Sequence, residues 1–217
     1  MLINYVYETT LQLASKSSGD GYLPPSEFNN YCILAQKRAI NELYNYLDHN
    51  QKVITLLSDV TKIADLTVTN NYATRPTDYY KYVASAALAF NSDTGKFVQS
   101  EGEYIGKTEL ASRLTSKIVT PTNDYPIISE DQTGFRLDPD TISRIKLTYL
   151  INPVDPEWVA VDPDVIPPVF DPTASTDFIL SEKFTDILVN YVANMFGIES
   201  DDQFLAQATV QQLVKAL

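Results

Sequence analysis

The segment best suited to chemistry is Gly102-Glu103-Tyr104-Ile105-Gly106-Lys107-Thr108, which approaches a phosphate-binding loop. Such a loop needs four residues between its glycines so that successive backbone amides converge on the phosphates; here there are three, and Glu101 and Glu103 would repel the ligand. The single histidine, His49, has no second histidine or cysteine cluster near it from which zinc or triad chemistry could assemble. The pairs Asp138/Asp140 and Asp162/Asp164 each flank a proline, a pattern that turn formation explains without general acid/base work. No segment has the ligand density of a calcium loop. Cys32, the only cysteine, sits in an apolar helical pattern and reads as a small buried hydrophobe. No catalytic, cofactor-binding or metal-binding residue is therefore assigned, and the expectation is a protein that is not an enzyme.

The balance of charge restricts partners. Among 217 residues, 16 are Lys or Arg and 28 are Asp or Glu, a net charge of −12, so gripping nucleic acid through its phosphates is disfavoured. The first eighteen residues lack the basic start and continuous apolar run of a signal peptide, and no stretch is long and apolar enough to span a bilayer. A chain made and kept in a cytoplasm, without membrane partners, is the expectation.

The elements that would position any site follow from periodicity. Leu2, Val6, Thr9 and Leu13 recur at helical spacing, and after a break from Ser17 to Pro25, Ser26 is placed to cap a second helix carrying Phe28, Tyr31, Cys32, Ala35, Ala39, Leu43 and Leu47. Gln51 to Ile63 is compatible with a helix or a strand, helix being the expectation. From Ala64 the period shortens. Tyr80, Tyr82, Ala84, Ala86, Leu88 and Phe90 alternate as one face of a strand, Asp93-Thr94-Gly95 turns it back, and Lys107 to Lys117 is expected to form a short helix. Ile145, Leu147, Tyr149 and Ile151 alternate with Arg144, Lys146 and Thr148; Phe135 and Leu137 precede them across Asp138-Pro139-Asp140 and are expected to pair with them antiparallel. Helical spacing returns from Ser181, with Gly197 as a stop, and a last helix is expected from Ser200. The expected fold class is α+β, a helical bundle formed by the N- and C-terminal helices (1–63 plus 178–217) with a β-rich antiparallel insertion (64–158).

Between the insertion and the closing helices lies a strap, residues 152–177, with six of the twelve prolines, six acids and no Lys or Arg. Proline fixes φ and removes donors, so the strap is expected to be an extended arm; Trp158, Val165, Ile166, Val169 and Phe170 punctuate it, where a disordered linker would lack apolar anchors. The last four are expected to bury against protein while the acids Asp155, Glu157, Asp162, Asp164, Asp171 and Asp177 stay wet. Tyr79 and Tyr80, within a set of fourteen tyrosines, are the other candidates for a subunit interface, because tyrosine combines contact area with a polar end.

Two stretches carry a resemblance: Arg75-Pro76-Thr77-Asp78-Tyr79-Tyr80 leading into a strand, and Tyr125-Pro126-Ile127-Ile128, Leu137-Asp138-Pro139 and Ile145 through Trp158. Over roughly Leu66 to Trp158 the chain resembles head-to-tail adaptor and ring proteins of tailed, podovirus-like and crAss-like bacteriophages. The resemblance implies a non-enzymatic virion structural protein made in the host bacterial cytoplasm, forming a ring of commonly twelve copies in the portal-to-tail connector. It implies the portal protein and other tail or ring proteins as partners, and double-stranded DNA passing through the lumen without specific binding. An acidic wall would let DNA slide, and the strap would serve as an arm on an adjacent subunit. The rival reading is a monomeric binding module whose Tyr-rich sheet recognises glycan or peptide; it predicts an exposed aromatic platform.

Overall fold

The computed structural model describes residues 1–18, 23–47, 50–91, 95–116, 120–162, 165 and 167–197; at 14–18, 51, 91 and 96 it describes the backbone alone. In chain order the helices are α1 (Leu2–Ser18), α2 (Pro25–Tyr46), α3 (Lys107–Thr115) and α4 (Thr185–Met195). The strands are β1 (Thr61–Thr67), β2 (Tyr72–Thr74), β3 (Tyr79–Asn91), β4 (Lys96–Glu101), β5 (Glu103–Ile105), β6 (Ile127–Glu130), β7 (Gly134–Asp138) and β8 (Ile142–Ile151). These divide into two compact units, one comprising Met1–Val60 with Pro153–Leu217, the other Thr61–Asn152.

In the terminal unit α4 packs against both α1 and α2. Helix α2 starts one residue before the expected cap: Pro24 stands at the N-cap in extended geometry and Pro25 opens the helix, where its missing N–H has no intrahelical partner to lose. Its buried stripe, Phe28, Cys32, Ala35, Gln36, Ala39, Ile40 and Leu43, follows three- and four-residue steps. On α1 the buried positions are Ile3, Val6, Tyr7 and Thr10, so the stripe is rotated from the expected Leu2, Thr9 and Leu13. Gly197 at φ +79° follows α4, a left-handed stop that glycine adopts without a Cβ clash. The helix expected from Ser200, the residue His49 and the turn residues Asp93 and Thr94 lie outside the described residues. Gln51 to Val60 forms two short 3-10 turns, and the strand period begins at Thr61.

The second unit is a pair of four-stranded sheets, ordered β1-β8-β3-β4 and β2-β7-β6-β5. Ala73, Ala87, Ile128, Phe135, Leu137, Ile145, Leu147 and Tyr149, drawn from both sheets, share one core. The chain changes sheet at β1–β2, β2–β3, β4–β5 and β7–β8. At the β4–β5 corner a Cβ on Gly102 would stand 2.2 Å from Ile128 Cδ1, so any larger residue there must displace that side chain. At the β1–β2 corner Asn70 and Asn71 take positive φ of 52° and 64°, a conformation Asn tolerates better than most residues.

The expected architecture is thereby overturned. The chain is α+β, but it carries four described helices and two four-stranded sheets, not a bundle with one antiparallel insertion. Helix α3 lies inside the β unit, and β5 pairs parallel with β6, the connection between them carrying α3. Strand β7 does not pair with β8: it lies between β2 and β6, and the chain crosses to the other sheet after Asp138. Period-two alternation marks which side of a strand is buried but carries no information on its neighbour, and so the two strands were joined in expectation and parted by the corner. In β3 the buried parity is reversed from the expected even-numbered set. Ser85, Ala87 and Ala89 are buried, because the irregularity between Tyr82 and Ala84 shifts the strand by a residue against β8.

Candidate functional site

From Pro153 onward the strap belongs to the terminal unit and is pinned there by side chains of α1 and α2. An irregular segment has no ladder to satisfy its backbone, so its amides and carbonyls need partners elsewhere. Asn29 supplies two: its Nδ2 donates to the Trp158 carbonyl (3.1 Å) and its Oδ1 accepts from the Trp158 amide (2.8 Å). Gln36, seven residues on and hence two turns along the same side of α2, repeats the arrangement. Its Nε2 donates to the Val154 carbonyl (2.9 Å) and its Oε1 accepts from the Ile179 amide (2.8 Å). Asp177 accepts from the Leu2, Ile3 and Phe178 amides at 2.9, 2.8 and 3.0 Å, capping the first turn of α1, where a carboxylate is favoured by the unsatisfied N–H groups. Lys37 pairs with Asp155 at 3.2 Å.

Trp158 is the anchor of this arrangement. It is fully buried, its Nε1 donates to Asn4 Oδ1 at 3.0 Å, and its ring lies 4.4 Å from that of Tyr7 and 5.7 Å from that of Phe170. Beyond Trp158 the strap folds back on itself as a finger. Val161 N donates to Val169 O and Asp171 N to Val159 O, both at 2.8 Å, and Asp171 turns the chain by accepting from Thr173 and Ala174. The Thr173 hydroxyl, with the Thr173 and Ala174 amides, holds the Asp171 carboxyl below the usual carboxylate range. Beside the finger is a cleft of about 410 Å³ lined by Tyr7, Leu11, Trp158, Pro167, Pro168 and Phe170, with Asn4 and Glu8 at its polar side.

The candidates therefore fare differently. Trp158 is interior and structural, Phe170 is half-buried against it, and Val165 and Val169 are exposed to solvent in the single chain; Ile166 lies outside the described residues. With Val154 and Val161 they form a set of valines between 45 % and 64 % exposed. Of the acids, Asp155, Glu157 and Asp162 are exposed, Asp171 and Asp177 are half-buried and used in turns and capping, and Asp164 is outside the described residues.

Tyr79 lies in the β unit and is committed to its interior. Its hydroxyl donates to Glu130 Oε2 (3.0 Å), which also accepts from the Tyr104 hydroxyl (2.9 Å), while Arg75 Nη2 donates to Glu130 Oε1 (2.7 Å). Burial first, then the Glu130 charge, pushes the Tyr79 phenol far above its ordinary range. Tyr80 is half-buried with Lys81 over its ring, and Tyr82 packs against the core and stacks on Tyr104 at 4.1 Å. The near-match to a phosphate loop is a strand, β5, held between a corner glycine and the start of α3. Among the described residues no three of His, Cys, Asp and Glu gather as a metal ion would require, and no helix is long and apolar enough to cross a membrane.

Sequence reasoning missed Asn29 and Gln36, and it read Asp177, which caps α1, as a wet acid. The first two had a signal: amides seven residues apart on the apolar stripe of α2, buried in Gln36's case to 0 % exposure, where a polar group needs a partner. Set against known proteins, the chain matches no family model and no curated sequence.

Proposed function

We propose that this chain is a non-enzymatic structural protein of a tailed-phage virion, a ring or adaptor subunit in the portal-to-tail connector through which double-stranded DNA passes. The carrying observation is the strap. Its backbone is fixed to α1 and α2 by Asn29, Gln36 and Asp177, so its order is built in, yet it holds Val154, Val161, Val165 and Val169 out in solvent. An ordered segment that keeps apolar side chains wet is suited to docking on another protein surface. The terminal unit has 6 Lys or Arg against 17 Asp or Glu, the β unit 10 against 11, so the acid excess lies in the unit that carries the strap. The partners of this reading are further copies of the chain, the portal protein and neighbouring ring or tail proteins. DNA would pass acidic surroundings without counterion-releasing contacts.

The rival reading, a monomer with a tyrosine platform, draws less support because Tyr79 and Tyr82 are packed against the β core. The test is native mass measurement of the chain with and without the portal protein of the same phage. Twelve subunits of 24.3 kDa make a ring of about 290 kDa, and Val161→Asp with Val169→Asp should abolish it. A chain that stays single in the presence of portal, and is missing from imaged connectors, ends the proposal.

A further inference from the structure

We infer that the two edges of the antiparallel sheet are complementary strips through which copies of this chain join, β1 of one copy pairing antiparallel with β4 of the next. The inference rests on the assembly reading only in requiring that copies meet. In the order β1-β8-β3-β4, β1 and β4 are the terminal strands, each with a ladder on one side among the described residues. An edge offers a row of backbone donors and acceptors to another strand, and proteins usually guard it with proline, a bulge or charges. Each of these edges carries two charges, Lys62 and Asp65 on β1 and Lys96 and Glu101 on β4, but no other guard among the described residues. Neither strand contains proline, and the β1–β8 and β3–β4 ladders run without register shift, the irregularities of this sheet being confined to β3–β8.

The side chains at the edges fit the same conclusion. Ile63 on β1 is 63 % exposed, and Phe97 and Val98 on β4 are 44 % and 41 % exposed. Phe97 is held in place by Phe90, 5.4 Å away edge to face, and by the Arg144 guanidinium 5.1 Å over its ring. Ile63 stands opposite Thr148, which stands opposite Ala84, and Phe97 stands opposite Phe90, two residues on from Leu88 on the same side of β3. Ile63 and Phe97 therefore share one face of the sheet. All four strands alternate in direction, so β4 runs opposite to β1. A neighbour's β1 laid beside β4 continues the alternation and sets its Ile63 and this Phe97 on a common face as a cross-strand apolar pair. Pairing β4 with another β4 would also be antiparallel, but it would stop at two copies and leave Ile63 wet; β1 on β4 covers both edges and repeats around a ring.

The experiment uses full-length chains carrying one added cysteine, Ile63→Cys or Phe97→Cys, with Gln99→Cys covering the register two residues along the same face. The native Cys32 is buried and stays in place. Equal amounts of two variants are mixed, oxidised and read by intact mass. Expected is a mixed 63–97 or 63–99 disulfide in about tenfold excess over self-paired species, a preference of about 1.4 kcal/mol. Dominant 63–63, 97–97 or 99–99 species, or no mixed species at the highest soluble concentration, overturn the inference. In parallel, Val98→Lys places a charge on the β4 edge and should lower the assembled fraction at least about tenfold with its circular dichroism unchanged. A Val98→Lys ring as abundant as the parent's overturns the edge contact while leaving the assembly reading standing. A mixed disulfide from chains that never assemble with portal does the reverse.

Discussion

Replacing Gln36 by leucine tests whether the strap is held by the helices. The side chain is fully buried and makes two bonds to backbone, donating to the Val154 carbonyl within the strap and accepting from the Ile179 amide two residues past its end. Leucine of similar size removes both and leaves two backbone groups without partners, at about 1–3 kcal/mol each if neither regains water. Val154 is exposed, so its carbonyl recovers part of its hydration; the expected loss is about 2 kcal/mol, within a range of roughly 1–4. Against a total stability of about 5–15 kcal/mol that is a large fraction. Trp158 is the only tryptophan and is buried in the same unit, so its fluorescence reports strap release directly in a urea titration. The variant should unfold at lower urea, its emission should shift to the red in native buffer, and the Ile179 amide should exchange faster with deuterium. Gln36→Glu keeps an acceptor for Ile179 but sets a carboxylate against the Val154 carbonyl, and should cost at least as much. If Gln36→Leu loses less than about 0.5 kcal/mol with unchanged Trp158 emission, the strap is held by something other than these bonds.

Two further outcomes follow from the β unit. A Cβ on Gly134 would stand 2.1 Å from the Ala73 carbonyl oxygen, so Gly134→Ala must push β2 and β7 apart and should destabilise by about 1–3 kcal/mol, whereas Gly106→Ala meets nothing within 4 Å and should fall within about 0.5 kcal/mol of the parent in the same urea assay. The acid and alkaline limbs of stability have identifiable sources. Hydrogen bonds from the Thr133 amide first, then the Tyr72 hydroxyl and the Gly134 amide, lower the Asp131 carboxyl from 3.8 to about 2. Its contribution is therefore present above pH 3.8 and lost as pH falls through about 2, and Asp131→Asn should flatten that limb of the unfolding curve. Burial first, then the Asp78 carboxylate that accepts its hydroxyl, raises Tyr149 from 10.0 to about 12. Its contribution is full below pH 10.0 and lost as pH rises through about 12, and Tyr149→Phe should remove one late phenol from the ultraviolet titration.

Periodicity made much of the local structure legible. The stripe of α2, the alternation of Ile145, Leu147 and Tyr149 and the Gly197 stop each depend on a few neighbouring residues, and each was readable. Partners were not. Phe135 and Leu137 carry the same alternation whether β7 pairs with β8 or, as here, with β2 and β6. In β3 an irregularity of one residue was enough to turn the apolar even-numbered set away from the core. At the strap, composition marked an extended acidic arm, but which valines are exposed and which acid is tied up as a cap depended on contacts with α1 and α2.

By itself the sequence determined that residues 152–177 cannot be helical, that strands occupy the middle of the chain, and that acid outweighs base; proline geometry, side-chain period and counting suffice for these. Only the tertiary structure decided that Trp158 is an anchor, that Asn29, Gln36 and Asp177 hold the strap, and that the middle strands divide into two sheets, one of them ending in β1 and β4 among the described residues. The physical reason is range. Propensity and period act over a few residues, whereas Gln36 reaches Val154 and Ile179 across more than a hundred, a pairing that only the folded chain brings within hydrogen-bond distance.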